Sequence, residues 1–233
     1  EKAKAGITIY GAEDELLYRF SEPSWVFESV DSISHLITDT LLFIENRTIL
    51  QNEYAEKNPA VEWDRFFKAI IDLAASKFTG ARDVPGGSTL ATQIEKHSDG
   101  GRTSLPTDKL RQMYSASLRA YHASEKTYEA RKDIVLDYIN SVPLAAVRGY
   151  GEIHGLGDGL WAYYGSNPQK VNAILNRNFS ELTKEEQIEQ STAYRKVLSL
   201  FLAHRRPSDY LAANSTSLQK QVDIYLPLLF KQG

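Results

Sequence analysis

The chain has 233 residues, 42% of them hydrophobic, enough to bury one sizeable core and too apolar for a disordered segment. A net charge of −3 gives no overall electrostatic reason to bind nucleic acid, and the absence of cysteine removes disulfide frameworks, cysteine zinc sites and thiol nucleophiles. No uninterrupted apolar run approaches the ~20 residues of a membrane-spanning helix, so any membrane anchor is expected to lie outside this chain.

In chain order, Ile7, Ile9, Leu17 and Phe20 flank the turn-forming Gly11-Ala12-Glu13-Asp14 and predict a short β-hairpin. Asp31 or Ser32 can then cap a helix that buries Ile33, Leu36, Ile37, Leu41 and Ile44 and ends near Glu45-Asn46-Arg47. A carboxylate at the end of such an apolar helix is partly desolvated, which suits a general base, although most helix-end glutamates are solvated surface groups. A second helix after Asp64 carries Phe66, Phe67, Ile70, Ile71, Ala74 and Phe78 and stops at Gly80 and Pro85.

Gly86-Gly87-Ser88-Thr89-Leu90-Ala91-Thr92-Gln93-Ile94-Glu95-Lys96-His97 is the most informative stretch. Its glycines deliver the backbone into a helix that Ser88 or Thr89 can cap, and the first N–H groups of such a helix attract an anion. Gln93, Lys96 and His97 share one face, Leu90 and Ile94 a buriable one. A capped surface helix with a solvated lysine reads from the same residues.

Ser98 to Pro106 is a Gly-, Ser- and Thr-rich loop. Thr107 caps a helix with Leu110, Tyr114, Leu118 and Tyr121 along one side and Lys109, Gln112, Ala116 and Arg119 opposite. Another helix runs through Ile134 to Val142, after which Pro143 and the glycines at 149, 151, 155, 157 and 159 predict a long irregular segment. Thr183-Lys184-Glu185-Glu186 is a capping box opening a long helix that packs Val197, Leu198, Phe201 and Leu202, places His204, Arg205 and Arg206 at its C-terminal dipole and ends at Pro207. The last helix, from about Ser215, holds Leu218, Val222 and Leu226 and is interrupted at Pro227. No composition shift marks a boundary, so residues 1–233 are read as one mostly α domain, 1–30 forming the hairpin and lead-in and 31–233 the helical body. The five histidines show no zinc-ligand spacing, and no metal site is assigned. Trp25, Trp63 and Trp161 are read as core or rim anchors.

The glycine stretch resembles the G-x-S-T-x-x-x-Q-x-x-K-N motif of the peptidoglycan glycosyltransferases, glycosyltransferase family 51, with Gly86, Ser88, Thr89, Gln93 and Lys96 matching and His97 in place of Asn. The family's first motif, E-D-x-x-F-x-x-H, begins with the catalytic base. Glu45 matches it, while Asn46, Ile49 and Asn52 replace Asp, Phe and His. The third motif, R-K-x-x-E-x-x-x-A, is matched by Lys109 and Ala116, with Gln112 where a second Glu stands. Arg131 to Asn140 is similar to the K-x-x-I-L-E-x-Y-L-N run, and Tyr150-Gly151 and Tyr163-Tyr164-Gly165 to the Y-G and Y-F-G signatures.

The resemblance implies a mostly α, lysozyme-like glycosyltransferase domain with a small N-terminal β-hairpin, acting on lipid II and an undecaprenyl-pyrophosphate-linked glycan, with inversion. It further implies the periplasmic face of the bacterial inner membrane, contact with that membrane's surface and with cell-wall synthesis proteins. Glu45 would be the base, Gly86, Ser88, Thr89, Gln93 and Lys96 would line the donor site, and Lys109, Arg111 and Gln112 would face the pyrophosphate. No organic cofactor follows from it, and a divalent cation such as magnesium stays open, since a neutral Gln112 can donate to phosphate but cannot hold a cation as a carboxylate does. Two rival readings accompany it: a degenerate domain that binds lipid-linked glycan or a cell-wall partner without polymerising it, and a lysozyme-type hydrolase, which would need a second carboxylate across the cleft.

Overall fold

The computed structural model describes residues 7–11, 15–20, 25–47, 49–51, 58–59, 90–98, 114–118, 120–122, 127–211 and 216–231, with the backbone alone at 7–10, 16–20 and 95–98. The helix predicted after Asp64, the loop from 99 to 106 and the cap at Thr107 lie outside them.

Strands β1 (Ile7–Tyr10) and β2 (Leu16–Phe20) pair antiparallel. Ile9 faces Tyr18 and Tyr10 faces Leu16, which leaves Leu17 as the extra residue of a bulge. Gly11 N–H donates to the Glu15 carbonyl at 2.8 Å, and the turn at 12–14 is outside the described residues. Among the described residues every other named element is helical: α1 (His35–Glu45), α2 (Leu90–Ser98), α3 (Tyr128–Ser141), α4 (Gly155–Tyr164), α5 (Pro168–Leu175), α6 (Lys184–Ala203), α7 (Pro207–Tyr210) and α8 (Thr216–Phe230).

Helix α6 organises the body. The side chains of Thr183 and Glu186 form a reciprocal capping box at its start, and Arg177 pairs with Glu186, holding that carboxyl down to about 2 together with hydrogen bonds from Thr183. Its second half is buried all round, from Val197 to Ala203, as expected of a helix packed on several sides. It meets α1, α4, α5 and α8. The main core joins Ile37 and Leu41 of α1, Val135, Tyr138 and Ile139 of α3, Leu156 and Leu160 of α4 and Phe201 of α6; a smaller one joins Leu198 and Leu202 to Leu218 and Val222 of α8. Truncating a fully buried aromatic such as Phe201 to Ala typically costs about 3–5 kcal/mol.

Three polar side chains hold the lead-in to the body. Asp158 accepts the Trp25 N–H at 2.8 Å. Asn140 accepts from Phe27 N–H and returns a bond to the Phe27 carbonyl, at 2.9 and 2.8 Å. Asn172 does the same between Ser34 N–H and the Ser32 carbonyl, at 2.7 and 2.8 Å.

Several expectations are corrected. Helix α1 starts at His35, with a separate 3-10 turn at Val30–Ser32, so neither Asp31 nor Ser32 caps it; Ser34 stands at the N-cap, but its hydroxyl donates to the Leu175 carbonyl at 2.9 Å. Leu36 lies outward, 41% exposed. The glycine-rich stretch after Pro143 is irregular only as far as His154, for α4 begins at Gly155. Its glycines serve close packing: a Cβ on Gly157 would lie 2.0 Å from the Trp25 carbonyl oxygen, and one on Gly159 2.7 Å from Leu144. Residues 114–118 are helical, with Ala116 and Ala120 inward and Tyr114, Leu118 and Tyr121 outward. Helix α5, unpredicted, is announced by Asn167, whose side chain accepts from Lys170 N–H, and by Pro168 in its first turn. Pro227 sits inside α8 without ending it, on an exposed face where its lost N–H leaves a carbonyl to water.

Candidate active site

The apolar periodicity of α1 carries Glu45 to its last turn, where the helix ends and Asn46 turns extended. The Glu45 side chain is only 9% exposed. A carboxylate so enclosed must have polar company, and elements far apart in the sequence supply it. From α2, Gln93 Nε2 donates to Glu45 Oε2 at 3.2 Å. From α3, the Tyr138 hydroxyl donates to Gln93 Oε1 at 3.3 Å. Beyond the end of α6, His204 Nε2 and an Arg205 guanidinium nitrogen lie 3.3 and 3.6 Å from Oε1.

Electrostatics tie this group together. Burial drives the Tyr138 hydroxyl well above the ordinary tyrosine range and the Glu45 charge adds to that, against a smaller opposing effect of Arg205. Tyr138 therefore stays a neutral donor. Burial opposes the charge on Arg205, yet Tyr225 and Glu45 outweigh it and its guanidinium is held more firmly protonated than usual. Arg205 also donates to the Tyr225 hydroxyl at 3.1 Å and to the Ile44 carbonyl at 3.4 Å. The result is a buried acceptor group with a neutral amide on one oxygen and a guanidinium and an imidazole ring beside the other.

Of the residues singled out in the sequence, the structure brings Glu45 and Gln93 together. Leu90, Ala91, Thr92 and Ile94 are buried, so the buriable face expected of that helix through Leu90 and Ile94 is observed. Lys96 lies on α2 one turn beyond Gln93, described in its backbone alone. Gly86, Ser88, Thr89, Lys109, Arg111 and Gln112 lie outside the described residues. Ile49, at the family's Phe position, is 2% exposed, and its carbonyl accepts from the buried Arg131 at 3.0 Å. Asn46, at the Asp position, is also buried.

Sequence reasoning missed His204 and Arg205 as companions of Glu45, having given them to the helix dipole, and placed Tyr138 in a structural run. The available signal was a basic His-Arg-Arg cluster closing the most apolar stretch of α6. Trp25 and Trp161 pair at 5.5 Å between ring centroids, as anchors of the lead-in. Among the described residues, no three His, Asp or Glu side chains are grouped to hold a metal ion, and no helix is long and apolar enough to cross a membrane.

The chain is 25% identical over 193 residues to penicillin-binding protein 1C of Escherichia coli (strain K12), a match covering 78% of this chain and 22% of that protein, so the chain spans about a fifth of its relative's length. It matches the family described as Transglycosylase over residues 13–221. With the E, Q and K of the motifs in family order and nearly the whole chain matched, this is a divergent member of the transglycosylase family, glycosyltransferase family 51.

Proposed function

We propose that this domain is a peptidoglycan glycosyltransferase of lysozyme-like fold that polymerises lipid II at the periplasmic face of the bacterial inner membrane. The observation that carries this reading is the enclosed Glu45 carboxylate, gripped on one oxygen by Gln93 and on the other by His204 and Arg205. Glu45 accepts the proton of the acceptor's 4-hydroxyl as that oxygen attacks the anomeric carbon of the donor glycan. The bond from that carbon to the pyrophosphate breaks, undecaprenyl pyrophosphate leaves with the electron pair, and attack from the opposite side inverts the configuration. Ser88 and Thr89, which precede α2 in the sequence, hold the donor and its pyrophosphate with Gly86, Lys96, Lys109, Arg111 and Gln112. Stabilising the leaving charge is the main catalytic effect. Gln112 contributes hydrogen bonds and no cation-holding carboxylate.

A second reading, a domain that binds lipid-linked glycan or a cell-wall partner without polymerising it, is favoured by the replacement of two family carboxylates by Asn46 and Gln112. Labelled lipid II, supplied in membranes with the protein, separates them. Glycan chains are expected from the unaltered protein, and Glu45→Gln, a near-isosteric amide that cannot take the proton, is expected to lower their formation by ~10²- to 10⁴-fold. Donor binding should hardly change. Lipid II bound but never joined selects the binding reading, cleavage of preformed glycan selects a hydrolase, and full polymerisation by Glu45→Gln removes Glu45 as the base.

A further inference from the structure

Glu45 meets two nitrogen-bearing neighbours, His204 and Arg205, through one oxygen, and those neighbours differ. Arg205 is half exposed and divides its guanidinium among Glu45, the Ile44 carbonyl and the Tyr225 hydroxyl. The His204 side chain is 13% exposed, and each of its ring nitrogens lies near an oxygen. Nδ1 lies 2.5 Å from the Phe201 carbonyl oxygen. A carbonyl only accepts, so Nδ1 carries a hydrogen. In a neutral ring, Nε2 would then turn a bare lone pair to the Glu45 carboxylate oxygen 3.3 Å away. Two electron-rich atoms at that distance repel, and the contact becomes attractive once Nε2 is protonated as well. The edge-on Tyr138 ring, 6.1 Å from the imidazole between centroids, fixes the ring plane.

From this geometry, and resting on the reading of Glu45 as the base, we infer that His204 is a positioning residue that holds Glu45 ionised and oriented by contacting Oε1 as an imidazolium. The acceptor's O–H bond breaks, its proton ends on Glu45, and the ion pair with His204 dissolves at that step. It re-forms when Glu45 returns the proton to water. Among the described residues, the titratable or charged groups facing the pair are Arg205 beyond α6 and Tyr138 from α3, with Tyr225 of α8 reached through Arg205. Neither Tyr138 nor Arg205 changes charge near neutral pH, given burial on the first and Tyr225 and Glu45 beside the second. Any fall of transfer toward alkali is therefore assigned to the contact between His204 and Glu45 itself.

The test reads the ring directly and the reaction separately, on the full chain with nitrogen-15-labelled histidine. At neutral pH the His204 signals are expected to report a doubly protonated ring, and in Glu45→Gln a neutral ring with hydrogen on Nδ1. His204→Gln, which keeps a donor but not the charge, should slow lipid II polymerisation about ten- to a hundredfold, the scale of a lost charged contact. It should also abolish the alkaline fall of the pH–rate profile, with donor binding kept. A neutral His204 ring in the unaltered protein, or an unchanged profile in His204→Gln, overturns the inference, and the ring signals decide even if His204→Gln fails to fold. An imidazolium that Glu45→Gln neutralises, in a protein that makes no glycan, instead overturns the reading of Glu45 as a base, and with it the role of His204, while leaving the ion pair in place.

Discussion

The two oxygens of Glu45 keep different company, and that asymmetry dictates which substitutions nearby are tolerated. Oε2 receives a neutral amide donor from Gln93, whose own oxygen is held by Tyr138. Gln93→Glu puts a carboxylate where that donor stood, about 3 Å from another carboxylate, and two such groups cannot both stay ionised. One is forced above its unfolded value of about 4.3, so the variant loses stability at alkaline and neutral pH and regains it as falling pH supplies the shared proton. Thermal melts at about pH 8 and pH 5 should show a cost of roughly 1–3 kcal/mol at the first and a clearly smaller one at the second. An equal deficit at both would mean that residues 93 and 45 do not approach each other. Glu45 and Gln93 were legible because each sits in a local motif, the Glu closing an apolar helix and the Gln following a Gly-Gly-Ser-Thr run that predicts a helix start. His204 and Arg205 were not, because their role arises from folding the far end of α6 onto the end of α1. Spacing along the chain carries no trace of that contact.

Among the elements, legibility followed how local the determining chemistry is. The capping box of α6 lies within four residues, and helix start and buried stripe were both readable from it. The same logic misled at α4, where Gly155, Gly157 and Gly159 read as breakers but form a helix whose missing side chains admit neighbours. Gly157 faces the backbone of the lead-in: a Cβ there would meet the Trp25 carbonyl oxygen at 2.0 Å, next to the bond from Trp25 N–H to Asp158. Alanine is worth about 1 kcal/mol more than glycine in a helix interior, so intrinsic preference favours Gly157→Ala. The backbone carbonyl cannot swing aside as a side chain would, and overpacking of this kind costs about 1–3 kcal/mol. Gly157→Ala is therefore expected to be destabilised in chemical denaturation despite its better propensity, with tryptophan emission shifted toward that of a wetter environment as Trp25 and Trp161 separate. A neutral or stabilised variant would mean that the lead-in does not dock on α4.

At the scale of the whole molecule, α6 is shared by two hydrophobic clusters, and the polar groups drawn into the larger one set how the domain answers to alkali. Tyr138, Tyr163, Tyr164 and Tyr194 all lie in or against that cluster, and burial pushes each hydroxyl above the ordinary tyrosine value, Tyr163 to about 12. Their hydroxyls are engaged within the fold: Tyr138 with Gln93, Tyr163 with the Ala145 carbonyl, Tyr164 with Ser199, and Tyr194 with Thr40. In the unfolded chain all four would titrate near 10. Groups whose folded values are raised contribute stability that is complete below the unfolded value and is lost as pH climbs through the folded ones. The domain should thus hold its melting temperature up to about pH 10 and lose it steeply toward 12. Tyrosinate absorbance should rise in two stages, the exposed members of the 13 tyrosines ionising in the folded protein and the buried set only as it unfolds. Tyr163→Phe is expected to cost about 1 kcal/mol at neutral pH through the lost bond to Ala145, yet to flatten the alkaline decline because one titrating group is gone. A single smooth ionisation of every tyrosine with the fold intact would show that water reaches these side chains and that the core between α3, α4 and α6 is looser than the packing described.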